Sequence, residues 1–188
     1  MIDLVANPAP TPRVALQRYY FLRAGVGAAW VVAAFTLGMR DPFAAGLLLI
    51  AYPAWDALAN ALDARANGGF KANPSQALNT VVSAAVTVAV AIALRIDLHL
   101  VLGVLGAWAI LAGLLQLATG VRRWRTLGAQ WAMILSGAQS ALAGGFFIFQ
   151  AVGPAPAQIM PIAGYAAFGA FYFLVSAIAL SFKGRKRG

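Results

Sequence analysis

Residues 43–62 read FAAGLLLIAYPAWDALANAL, a membrane-length apolar run whose one charge is Asp56. A spanning helix needs roughly 20 mostly apolar residues, each advancing about 1.5 Å through a hydrocarbon core about 30 Å thick. A carboxylate at such depth is expensive, and it normally faces a bundle interior or a wet cavity beside a partner. The stretch therefore calls for neighbouring helices.

Five further segments meet the same length: Tyr20–Met39, Ala77–Leu94, Leu98–Thr119, Leu127–Gln150 and Ile159–Phe182. A segment in lipid must satisfy its own amide groups, which leaves helices or a closed barrel. These runs are continuous and lack the alternation of barrel strands. The first is longer than a signal-peptide core and has no clear small-residue cleavage site after it, so it reads as a span.

Composition agrees. Of 188 residues, 62% are hydrophobic and 10% are charged, against about 25% charged in soluble domains. There is too little polar surface to coat a water-soluble globule. No cysteine is present, which excludes disulfides and thiolate chemistry; histidine appears once and glutamate never. That inventory is poor for acid–base catalysis. Nothing fits a nucleotide loop, a zinc triad or a serine nucleophile elbow. The reading is a non-enzyme with no catalytic residue, metal or cofactor.

The net charge of +9 points to membrane orientation and anionic lipid head groups rather than nucleic acid, because the basic residues flank apolar spans. Arg40-Asp41-Pro42 and Arg95-Ile96-Asp97 are minimal turns, and residues 151–158 hold two prolines and no charge. The other side carries Arg13, Arg18, Arg23, Arg65, Lys71, Arg122, Arg123, Arg125, Lys183, Arg185, Lys186 and Arg187, twelve positives against two. The positive-inside rule places both termini in the cytoplasm. Trp124 and Trp131 suit an interfacial anchor beside the basic loop. Lys183, Arg185, Lys186 and Arg187, like Arg122, Arg123 and Arg125, either fix topology or meet anionic head groups.

Tyr52, Trp108 and Tyr165 lie 56 and 57 residues apart, which suggests three copies of one helical hairpin. Stacking such units buries faces that one pair leaves open. Gly106, Gly113 and Gly120 share a face of the fourth span; Ser83, Thr87 and Ala91 recur in the third, and Ser140 and Gly144 in the fifth. Small residues let helices approach closely in lipid, within the monomer or in a homo-oligomer. The expected fold is all-α: a six-helix transmembrane bundle built from three repeated helical hairpins. Residues 1–188 form one domain, with a cytoplasmic segment 1–19, the bundle 20–182 and a basic tail 183–188.

The last hairpin carries Leu142-Ala143-Gly144-Gly145-Phe146-Phe147-Ile148-Phe149, a proline-containing turn, then Gly164-Tyr165-Ala166-Ala167-Phe168-Gly169. Asp41-Pro42 with Leu47-Leu48-Leu49-Ile50, and Gly106-Ala107-Trp108 with Gly113, echo that layout. The pattern resembles the HdeD-type acid-resistance membrane proteins, six-span bacterial proteins built from paired helices. The resemblance covers the membrane portion. It implies a bacterial inner-membrane protein linked to acid stress, and it brings no catalytic or transport residue with it.

Folding each pair of spans about its turn estimates depth. A fold near Asp41 brings Arg23 level with Asp56, Asn60 and Asp63. A fold about Gly69–Phe70 brings Asn79 level with Asn60, and later folds add Gln116 and Gln130. The expectation is an intramembrane polar cluster of Arg23, Asp56, Asn60, Asp63, Asn79 and Gln116. Asp56 and Asn60, four apart, share a helix face, and Pro53 frees a carbonyl one turn earlier. The cluster is either static glue or a proton- or ion-responsive site. His99, beside Asp97 at an outer turn, is either a polar anchor or a pH-responsive group. The functional reading is a small non-enzymatic protein of the bacterial plasma membrane with a link to acid or envelope stress. Its alternatives are a small transporter or channel using the Asp56 layer, and a scaffold for a partner membrane protein.

Overall fold

The computed structural model describes residues 12–127 and 131–185, with side chains placed for 14–118, 121 and 134–182. Among the described residues there are six long helices and no strand: α1 (Pro12–Ala33), α2 (Pro42–Ala66), α3 (Pro74–Ala93), α4 (Leu98–Leu127), α5 (Trp131–Val152) and α6 (Met160–Arg185). Each contains a stretch long and apolar enough to cross a membrane. The chain is a multi-pass integral membrane protein.

The helices outrun the apolar segments. α1 starts at Pro12 rather than Tyr20, and α4 continues through Arg122, Arg123 and Arg125, where a loop was expected. Hydropathy marks the hydrocarbon thickness, whereas a helix keeps its own hydrogen bonds into the interface. The outer turns are tight. Asp41 caps α2 by accepting the Phe43 amide at 3.0 Å, with Pro42 in the first turn where a missing N–H costs nothing. α1 ends in a π-helical segment, Ala34–Gly38. α2 runs on through the buried Pro53 to Ala66. It closes where the Gly69 amide bonds the Ala64 carbonyl at 2.7 Å, with Gly68 and Gly69 at φ 93° and 85°, a region L side chains avoid.

The closest packing follows α2 with α3, α4 with α5, and α1 with α6. These pairs straddle the more basic connections and the chain ends, not the short outer turns that defined the expected hairpins. The α4–α5 seam shows why for its pair. Gly106 on α4 meets Gly144 on α5, and Gly113 meets Gly137: a Cβ on Gly113 would stand 2.6 Å from the Gly137 carbonyl oxygen, and one on Gly106 2.8 Å from that of Gly144. Backbones this close gain dispersion contacts that lipid tails cannot match. The glycine faces thus serve contact inside the monomer. Gly120 lies outside the residues with described side chains.

The three evenly spaced aromatics meet at the centre. Tyr52 stands edge-on to Trp108 and to Tyr165, with centroids 5.8 and 6.3 Å away. Trp30 stacks against Tyr52 at 4.8 Å and donates its indole N–H to the Leu48 carbonyl at 2.8 Å. Beyond this cluster, toward the outer turns, Leu49, Val90, Leu102, Leu105, Phe147 and Ile162 form a dry apolar core. On the other side of it lies the polar layer.

Candidate functional site: the polar clasp around Asp56

Asp56 leaves α2 one turn after Pro53, on the face turned toward α1 and α3. Its Oδ1 accepts from the Arg23 guanidinium at 2.6 Å. Its Oδ2 accepts from the Asn60 amide at 3.1 Å and from the Ser83 hydroxyl at 2.9 Å. Three helices therefore close on one carboxylate. Asn60 also donates to the Asp56 carbonyl at 2.8 Å, as a partner four residues on can. The ion-paired side chains are only 13% and 21% exposed.

Arg23 is held as firmly as its partner. Its guanidinium lies 4.5 Å from the centre of the Phe173 ring on α6 and donates to the Tyr19 hydroxyl at 3.4 Å. A cation over an aromatic face gains electrostatic energy, more so when desolvated. Arg23 thus ties the α1–α6 pair to the α2–α3 pair, which otherwise touch sparingly. The α5–α6 junction has its own bond: the Ser140 and Tyr165 hydroxyls lie 2.6 Å apart, and Ser140 also donates to the Ala109 carbonyl of α4 at 3.2 Å.

The structure brings together part of the expected cluster. Arg23, Asp56 and Asn60 meet. Asp63 lies two turns further along α2 and forms a separate group, accepting from Asn67 and from Gln76 of α3, each at 3.0 Å. Asn79 is exposed on α3. Gln116, half-buried on α4, is not among the groups bonded to Asp56. Asn79 lies one turn nearer the start of α3 than Ser83, on nearly the same face, and is exposed there. Ser83 was missed as a ligand of Asp56, although the fold about Gly69–Phe70 that levels Asn79 with Asn60 also levels Ser83 with Asp56. Gln130, Lys186 and Arg187 lie outside the described residues, as do the side chains of Arg122, Arg123, Arg125, Lys183 and Arg185.

At the opposite end, His99 bridges two loops. Its Nδ1 lies 3.2 Å from the Asp97 carboxylate and its Nε2 3.0 Å from the Ala155 carbonyl. Both neighbours only accept, and a neutral imidazole can donate from one nitrogen alone, so the imidazolium fits this place best. The His99 amide, donating to the same carboxylate, holds the Asp97 carboxyl below its usual range. Nearby, a concavity of about 440 Å³ is lined by Phe146, Gln150 and Gln158.

Among the described residues no group of three or more His, Cys, Asp or Glu could hold a metal ion. No family model, curated protein or solved structure matches the chain.

Proposed function

We propose that this chain is a non-enzymatic integral membrane protein of a bacterial plasma membrane, with both termini cytoplasmic, and that the Asp56 layer is a structural clasp rather than a transport site. The observation that carries this reading is the occupancy of the carboxylate. A carboxylate has about four acceptor positions, and three of those on Asp56 are taken by donors from three different helices. An ion-carrying site needs room and free ligand positions around its carboxylate. The twelve-to-two distribution of basic residues supports the orientation. The test is reconstitution in liposomes with a proton- or ion-sensitive dye, alongside a charge swap, Arg23→Asp with Asp56→Arg. The clasp reading expects flux no higher than in protein-free vesicles and a swapped protein that folds. Flux in the wild type that Asp56→Asn abolishes would refute it.

A second reading, a response to acid, is favoured by His99. Its ring joins the α3–α4 turn to the α5–α6 loop through two acceptors. Protonation completes that bridge. The resemblance to the HdeD-type proteins points the same way, toward acid or envelope stress.

A further inference from the structure

The outer face of the α1–α6 pair holds an apolar groove of about 500 Å³. Phe21, Gly25, Ala28 and Val32 form one wall, and Ala167 and Phe171 the other. The groove exists because Gly25 carries no side chain there: a Cβ built on it would meet nothing within 4 Å. On the facing side of α1, Gly27 packs against Ala170: a Cβ built on Gly27 would stand 3.1 Å from that of Ala170. The two helices therefore touch along one line and stand open beside it.

Two features identify what fits. The first is length. From Phe21 to Val32 the helix rises roughly 17 Å at about 1.5 Å per residue, close to one leaflet of a core about 30 Å thick. The second is charge. Positions 18, 21, 25, 28 and 32 follow one another at three- and four-residue steps, so they share a helix face. Arg18 thus ends the stripe at the basic side of the membrane. It is exposed, and no ion pair to it is found among the described residues.

We propose that this groove binds a single anionic phospholipid, with one acyl chain between α1 and α6 and the phosphate on Arg18. Lipid hydrocarbon is the surrounding solvent, so a concave apolar surface there is filled by a tail. The arginine at its mouth gives that tail's head group a preferred sign. The inference rests on the membrane reading but not on the clasp, since Arg23 points to the opposite side of α1.

The experiment titrates the detergent-solubilised full chain with phosphatidylglycerol and, separately, phosphatidylcholine, counting retained lipids by native mass spectrometry. Gly25→Leu projects a side chain into the groove from a position where the added Cβ meets nothing within 4 Å, and Arg18→Gln removes the charge at an exposed position. The wild type should hold one lipid that Gly25→Leu loses. Arg18→Gln should lower the phosphatidylglycerol occupancy of that position roughly fivefold, the effect of one basic residue, and leave phosphatidylcholine unchanged. Unfolding temperatures near wild type confirm that both variants fold. Gly25→Leu retaining the wild-type complement would overturn the proposal. So would equal occupancy by both lipids in the wild type, or a dimer that Gly25→Leu dissociates, which would make a second copy the occupant.

Discussion

Neutralising the clasp one charge at a time, and then both together, measures whether Arg23 and Asp56 act as a pair. Arg23→Gln leaves the Asp56 carboxylate with Asn60 and Ser83 alone, and Asp56→Asn leaves the guanidinium with Tyr19 and the Phe173 ring. Removing one partner of a fully buried pair costs about 3–5 kcal/mol, because the other charge stays buried and uncompensated. Here the side chains keep 13% and 21% of their exposure, and each retains other partners, so about 2–3 kcal/mol is expected for either single change. That corresponds to a fall of roughly 4–12 °C in unfolding temperature for a chain of this size. The double variant Arg23→Gln/Asp56→Asn removes both charges and leaves two amides that can hydrogen-bond across the same gap. It should therefore cost less than the two single changes added together, with a coupling of about 2 kcal/mol. The assay is unfolding in detergent followed by circular dichroism, with folded oligomeric state checked by size exclusion. If the double variant loses as much as the two singles together, the charges are independent and the clasp does not exist.

Other consequences can be read at single positions. Gly113→Ala should destabilise the bundle by about 1–3 kcal/mol, because a methyl there forces two backbones apart, whereas Gly145→Ala, where a Cβ meets nothing within 4 Å, should be near neutral in the same melts; equal effects would contradict the seam. Ser83→Ala should lower stability by about 1.5 kcal/mol, the low end for a hydrogen bond to a charged group, and unchanged unfolding would remove Ser83 from the clasp. Spin labels at Ile96 and Pro154 should draw together and narrow their distance distribution as the pH is lowered and His99 gains its second donor. The sign follows from the pair. Asp97, held below its usual range, still carries its charge as histidine protonates, and its own contribution is lost only when the pH falls further, through that lowered value. His99→Gln should make the distance independent of pH; an unaltered pH profile would dismiss the bridge.

Much of the architecture was legible in residues 43–62 and their five counterparts. Apolar length alone specifies helices that cross a bilayer, since no other open backbone is tolerated there. Asp56 announced its need for a partner, and the count along α1 and α2 offered Arg23. The even spacing of Tyr52, Trp108 and Tyr165 suggests a repeated hairpin, but that Trp108 and Tyr165 both meet Tyr52 edge-on is seen only in the fold. Less legible was which polar residue of α3 lies at the level of Asp56, since residues four apart share a face and differ by one turn in depth. Ser83 and Asn79 differ by four residues on one helix, yet one is buried against Asp56 and the other exposed. Hydropathy cannot separate them, because both fit a span equally well.

The sequence by itself determined the solvent, the number of crossings and the presence of a charge that must be matched inside. Only the tertiary structure decided which helices pair and which groups close on Asp56. The tight seams run between α4 and α5, α2 and α3, and α1 and α6, not across the short outer turns. Connection length governs which helices are neighbours in the chain. Close packing in lipid is governed instead by how nearly two backbones can approach, as where small residues from separate helices meet: glycine on glycine between α4 and α5, and Gly27 on Ala170 between α1 and α6.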